Sequence, residues 1–292
     1  MNYKETVAAV NGVIAQYSMS LTLRQIYYRL VAAGLIPNRR TSYNGLSAQL
    51  VKAREAGEVD ERRIVDRSRS INDISFDSPE DFLATVLWTA ENRYVRRFWK
   101  GQDNYVEIWV EKDALSQVIA NAVQEFNTIV CPSRGYSSYS YLRDAVARFD
   151  RYTTGDEAPG EVVVLHLGDH DPSGYDMSRD LQARLESYSG GTPVTVKRIA
   201  LTSEQVKQYH LIPNPTKVTD SRSPAYEARF GNECWELDAI EPDELVRIVQ
   251  EAVEDEITDP DAWAEIKGKD KGEREALVKV FKELKSNFER GS

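Results

Sequence analysis

The chain has 292 residues, 41% of them hydrophobic, which is enough for two ordinary domains with separate cores. A net charge of −10 argues against a generic polycation, and two cysteines without paired spacing argue against a zinc ribbon or a disulfide framework. No apolar stretch reaches membrane-spanning length and no signal-peptide layout opens the chain, so a cytoplasmic or nucleoid-associated protein with no membrane partner is expected.

Charge is unevenly spread. Residues 1–100 hold 15 Lys+Arg against 11 Asp+Glu, and the rest hold 22 against 36. A basic half beside an acidic half suits a nucleic-acid face joined to an acidic, metal-binding one.

In chain order, Val7, Val10, Val13, Ile14 and Tyr17 recur at helical spacing. Thr22 reads as the N-cap of a second helix reaching residues 31–33, with Gly34 as its stop. A third helix is expected from Ser42 to Ala56, closed by Gly57. With the basic segment 59–68 these fit a winged helix-turn-helix over 1–70, which would present Lys52 and Arg54 to DNA. Arg29, Arg39, Arg40, Arg62, Arg63, Arg67 and Arg69 are further candidates for phosphate attraction. Residues 71–104 read as a connector containing an amphipathic helix over 80–99.

From 105 to 235 strand and helix alternate. Strands are expected at 105–110, 128–131, 161–167 and 194–201, and helices at 113–126, 139–151, 174–188 and 203–209. This is the pattern of a parallel sheet with right-handed crossovers, so the fold class is α/β. The loop 133–140 after the second strand could touch phosphate through Arg134 or could be a plain connection. Residues 236–292 read as an acidic helical extension for packing or dimerisation, with Leu245, Ile248, Val249 and Val253 on one helix face and Ala276, Leu277, Val280, Phe281 and Leu284 on another.

Two acidic signatures follow strand-like runs, Val-Glu-Lys-Asp-Ala at 110–114 and Leu-Gly-Asp-His-Asp-Pro-Ser-Gly at 167–174. Parallel strands collect their C-terminal ends along one edge, so Glu111, Asp169 and Asp171 are expected to converge. Three carboxylates together call for a cation, and hard oxygen ligands suit Mg²⁺, with Mn²⁺ as a substitute. Lys112 could neutralise this pocket or reach a phosphate, and Asp113 is expected to cap the following helix. Arg24, Tyr27 and Tyr28 lie within little more than one helical turn. Spacing alone makes the tyrosines packing aromatics, with at most one facing the core squarely. Beside an arginine and opposite a metal site, a tyrosine is also what phosphotyrosine exchange on DNA requires.

Arg-Gln-Ile-Tyr-Tyr at 24–28, Glu-Lys-Asp-Ala at 111–114 and Asp-His-Asp-Pro at 169–172 together resemble the A subunit of topoisomerase VI and its relative, the meiotic double-strand-break protein. The likeness spans roughly residues 15–185, and the layout is most similar to the compact stand-alone Mini-A relatives of phages, plasmids and bacteria. It implies a winged-helix domain joined to a Toprim domain, with Tyr28 as nucleophile, Arg24 on the phosphate, and Glu111, Asp169 and Asp171 around Mg²⁺. It also implies a homodimer making a staggered break in double-stranded DNA, each tyrosine meeting the partner's metal, with a separate ATPase or accessory subunit as a further partner. His170 stands where the family usually has glycine. Two other readings remain: a hydrolytic Toprim nuclease that does not use the tyrosine, like the nuclease subunit of Wadjet plasmid-defence systems, and a silent DNA-binding module.

Overall fold

Three helices open the chain in the computed structural model, which describes residues 1–60, 63–65, 75–133, 135–215 and 222–291. They are α1 (Tyr3–Ile14), α2 (Leu23–Ala32) and α3 (Arg40–Glu55). α2 starts where expected because Thr22 and Gln25 satisfy each other's backbone N–H groups in a capping box. It ends at Gly34, whose φ of 70° suits a residue without a Cβ. Leu21–Thr22 (β1) pairs in parallel with Ile64–Val65 (β2). Val10, Leu21, Ile26, Leu30 and Leu50 form the centre of this first core.

Helix α4 (Pro79–Asn92) is shorter than the sequence suggests. The chain breaks from helix because Phe98 and Trp99 turn inward, their ring centroids 5.6 and 4.9 Å from that of Trp263. Burying two large rings outweighs another helical turn.

The alternating region forms β3 (Asn104–Val110), α5 (Asp113–Ala122), β4 (Ile129–Pro132), α6 (Tyr139–Tyr152), β5 (Glu161–Leu167), α7 (Pro172–Tyr188) and β6 (Val194–Ala200). These strands make an all-parallel, four-stranded sheet in the order β4-β3-β5-β6. The fold is therefore mixed α/β, as the alternation predicts. β3 and β5 are central and buried on both faces, which explains their nearly unbroken apolar runs. Glu107 is the exception in β3. It is completely buried, and Arg148, Tyr105 and Trp109 all donate hydrogen bonds to its carboxylate.

Right-handed crossovers dictate the layers. The step from β3 to β4 runs one way along the sheet, and the steps from β4 to β5 and β5 to β6 run the other. α5 therefore covers one face, and α6 and α7, packed together, cover the opposite one. Between the C-terminal ends of β3 and β5 the chain departs in opposite directions, and this switch point is where open α/β sheets leave a ligand crevice.

The remainder comprises α8 (Ser203–Gln208), β7 (Asn214–Pro215), α9 (Ser223–Phe230), β8 (Glu233–Cys234), α10 (Pro242–Glu254) and α11 (Pro260–Gly291). β7 and β8 pair antiparallel. α10 packs on α5 and β6, and its Leu245, Ile248, Val249 and Val253 join the sheet's core, as do Leu237 and Ile240 before it. α11 lies along α4, and this pair leaves Phe82, Trp88, Val280, Leu284 and Phe288 exposed. No helix among the described residues is long and apolar enough to cross a membrane.

Candidate functional site

Val110 and Leu167 are register partners, so the residues after β3 and β5 leave the sheet side by side. Glu111 Oε2 accepts the Asp169 N–H at 3.0 Å. Gly168 keeps this approach open, because a Cβ there would lie 2.9 Å from that same oxygen. The loop then folds so tightly that a Cβ on Gly174 would sit 2.2 Å from the Asp169 carbonyl oxygen. Arg198 on β6 holds the loop from behind, donating to the carbonyls of Gly168, Asp169 and Gly174 at 2.9, 2.6 and 2.8 Å. Asp171 caps α7 by accepting the Gly174 N–H at 2.7 Å.

Glu111, Asp169 and Asp171 thus border one cavity of about 340 Å³, together with Arg24, Lys112, Asn214, Trp235 and Glu236. Burial first, and then the Asp169 carboxylate, push the Glu111 carboxyl up to about 7. Excess negative charge is the physical signature of a place for a cation.

Part of that charge is already answered from within the chain. The Lys112 ammonium lies 2.8 Å from Asp169, 2.9 Å from Glu236 and 2.8 Å from Asp238. Burial opposes its charge, yet the three carboxylates hold its pKa well above the ordinary lysine value. It takes the neutralising role, and Asp113 is the first residue of α5 while Lys112 holds the capping position without a side-chain cap. Among the described residues, no group of three or more His, Cys, Asp and Glu side chains stands ready around a metal. The donor chemistry of Glu111, Asp169 and Asp171 nonetheless suits a hard divalent ion, since three carboxylates border the cavity and burial with the Asp169 carboxylate outweighs what Lys112 and the Asp169 N–H do for Glu111.

Glu236 and Asp238 were missed in the sequence. Their signal was the alternation of acidic and apolar residues in Trp-Glu-Leu-Asp-Ala at 235–239, hidden in a segment that reads as the start of an acidic tail. Asp238 is 1% exposed, and burial raises its pKa despite Lys112. Burial also opposes the charge of Glu236, but Lys112 and Arg24 hold its carboxyl below the usual range. Arg24 donates to Glu236 at 2.5 Å and lies 3.8 Å from Asp238.

Tyr27 and Tyr28 are both 4% exposed, with ring centroids 5.2 Å apart and edge to face. The expectation that only one could face a core fails because α2 is sandwiched. Its Tyr27 side meets Tyr43 and Asn38, and its other side packs against residues 237–239. Tyr28 Oη accepts the side-chain amide of Asn214 at 3.1 Å, and Asn214 in turn borders the acidic cavity. Burial, then Glu236, raises the Tyr28 phenol to about 12 against the lowering influence of Asn214, Lys112 and Arg24.

His170 does not enter the acidic cavity's hydrogen bonding. Its Nδ1 lies 2.5 Å from Tyr226 Oη and its Nε2 3.0 Å from Ser203 Oγ. Burial, then Arg198, lowers its pKa to about 4 and keeps it neutral.

The expected DNA contacts divide. Arg39, Arg40 and Lys52 are exposed and Arg54 is half-buried. Arg29 is a correction: it is buried, donates to the Ala239 carbonyl at 2.6 Å and pairs with Glu241, because α2 faces the chain's own C-terminal half. Arg63 is also engaged internally, donating to the carbonyls of Ile14 and Tyr17. Lys112 is committed to its three carboxylates. Arg62, Arg67, Arg69 and Arg134 lie outside the described residues.

Set against known protein families and against curated proteins, the sequence matches none.

Proposed function

We propose that this chain is a DNA-cleaving enzyme of the topoisomerase VI A-subunit type, its first 70 residues acting as a winged-helix domain and residues 105–235 as a Toprim domain. One observation carries the reading. Arg24, the Tyr28 partner Asn214, and the three carboxylates Glu111, Asp169 and Asp171 all border a single cavity at the sheet's switch point.

In the proposed step, Tyr28 Oη bonds to phosphorus as the P–O3′ bond breaks. The phenol proton passes through water to the departing O3′, leaving a 5′-phosphotyrosine and a free 3′-OH. Asn214 donates to the phenolic oxygen and so favours its deprotonated form. Arg24 offers its guanidinium to the phosphate once Glu236 releases it. Glu111, Asp169 and Asp171 would hold Mg²⁺, which when bound supplies charge stabilisation and positions the phosphate. Within one chain Tyr28 reaches the edge of the cavity only through Asn214 and does not line it, so the proposed site keeps the arrangement the resemblance implies, each tyrosine meeting the partner's carboxylates. Two such sites cutting both strands call for a second copy, for which the exposed apolar residues of α4 and α11 offer a surface.

A hydrolytic nuclease is the second reading, favoured by the burial of Tyr28 and its pKa of about 12. Supercoiled plasmid incubated with Mg²⁺ separates the two. Linear DNA that migrates freely only after protease treatment, and is absent with Tyr28→Phe, supports transesterification. Protein-free ends that survive Tyr28→Phe but vanish with Glu111→Gln identify hydrolysis. No cleavage with Mg²⁺ or Mn²⁺ would leave a DNA-binding module.

A further inference from the structure

The loop that carries Asp169 and Asp171 has a second face. His170 and Trp235 form an antiparallel bridge, His170 N–H to Trp235 O at 2.8 Å and Trp235 N–H to His170 O at 2.9 Å. In extended backbone, successive side chains point to opposite sides. The neighbours of the bridged pair, Asp169, Asp171 and Glu236, accordingly border the acidic cavity, while His170 borders another, of about 590 Å³. Trp235 borders both.

This second cavity is walled by the rings of His170, Tyr175, Phe230 and Trp235. They form one cluster, His170 lying 4.8, 4.9 and 5.4 Å from the other three by ring centroid, and Tyr175 4.5 Å from Phe230. His170 has both ring nitrogens engaged, so it is a fixed part of the wall. Lys207 and Arg229 border the cavity and are exposed, and Glu204 and Glu233 border it too. Two cations against two carboxylates disfavour a bare anion. Flat aromatic walls with polar groups of both signs suit a heteroaromatic ring carrying donors and acceptors.

We propose that this cavity seats one unpaired nucleobase of the DNA strand whose phosphate occupies the acidic cavity. The inference rests on the DNA reading above. Trp235 borders both cavities, so a single side chain stands between the place for a phosphate and the place for the base attached next to it. Arg229, exposed at the rim, lies 4.8 Å over the Phe230 ring, so a base seated on that face would displace its guanidinium or stack beneath it. Enzymes that seat a base apart from its stack favour single-stranded or distorted DNA, and stacking one base on aromatic walls is worth about 5- to 150-fold in affinity.

Binding without cleavage tests this. With Ca²⁺ in place of Mg²⁺, the anisotropy of a labelled oligothymidylate is compared with that of an equally long strand of abasic sugar-phosphates, using wild type, Phe230→Ala and Phe230→Leu. Phe230→Leu keeps apolar bulk and serves if the alanine variant fails to fold. Wild type is expected to bind the base-bearing strand about 10-fold more tightly, with most of that preference lost in either variant. Free thymidine monophosphate is expected to compete far less well than the strand. A preference unchanged by both variants overturns the proposal, as does a free nucleotide that competes as well as the strand. If strands of both kinds fail to bind, the DNA reading falls with it. A Phe230-dependent preference in a protein that cuts nothing leaves this inference standing and removes only the cleavage.

Discussion

Replacing Lys112 with methionine tests whether the acidic cavity is organised around an internal cation. Methionine keeps the length of the side chain and removes the charge. Asp169, Glu236 and Asp238 would then lose an ammonium 2.8–2.9 Å away, and Asp238 has almost no access to water. Removing one partner of a buried, hydrogen-bonded ion cluster costs about 3–5 kcal/mol, whereas an exposed pair is worth about 0–1 kcal/mol. At an unfolding entropy near 2.1 cal/mol/K per residue, the larger figure corresponds to a melting point roughly 5–8 °C lower, and the smaller to less than about 2 °C. Burial already holds the Asp238 pKa above its ordinary value. A carboxyl raised in this way stabilises the fold below its unfolded pKa and loses that contribution as pH rises, so the deficit of Lys112→Met should grow from acid toward neutral pH. Calorimetry at several pH values, with and without Mg²⁺, reads all of this. At Mg²⁺ 100-fold above its Kd the variant should recover about 2.7 kcal/mol, more than wild type gains, because the divalent ion answers charge that lysine no longer does. A shift below about 2 °C, indifferent to pH and Mg²⁺, would refute the reasoning.

Four further outcomes are expected. With its pKa near 7, Glu111 costs the metal-free fold stability as pH climbs from the ordinary carboxylate range through 7, and Glu111→Gln should flatten that slope in urea titrations. By the same sign, Mn²⁺ binding followed by calorimetry should tighten as pH rises through 7 in wild type and lose this dependence in Glu111→Gln. Gly168→Ala forces a methyl against the Glu111 carboxylate and should weaken Mn²⁺ binding about 10-fold while costing roughly 1–3 kcal/mol in stability; unchanged binding would show that Glu111 is not a ligand. His170→Gly removes a buried ring and its two hydrogen bonds, and should lower stability by about 3–5 kcal/mol while Mn²⁺ affinity of the folded protein stays within twofold; the reverse pattern would place His170 in the acidic site.

The α/β alternation was legible because β3 and β5 are buried on both faces and so read as apolar runs, and because caps such as Thr22 act locally. Convergence of Glu111 with Asp169 was legible too, since parallel strands share a functional edge. What the sequence hid depends on partners far along the chain. Arg29 looks like any basic residue on a helix, and only its packing against Ala239 and Glu241 turns it inward. Asn214 touches Tyr28 across 186 positions, and Arg24 meets Glu236 across 212. No periodicity reports such pairs. α4 ended early for a similar reason, because Trp263 recruits Phe98 and Trp99.

That separation has a consequence for how the protein is made. Synthesis runs from the N-terminus, so Arg24 and Tyr28 leave the ribosome first, and Glu236 and Asp238 follow more than two hundred residues later. A chain interrupted anywhere between them carries its tyrosine but lacks Glu236, Asp238 and the β8 strand that pairs with Asn214. The cavity can close only when translation has passed residue 238. Chains that stop short of residue 236 leave Arg24 and Lys112 without these carboxylate partners, so a part of the chain made late is what fixes both cations in place.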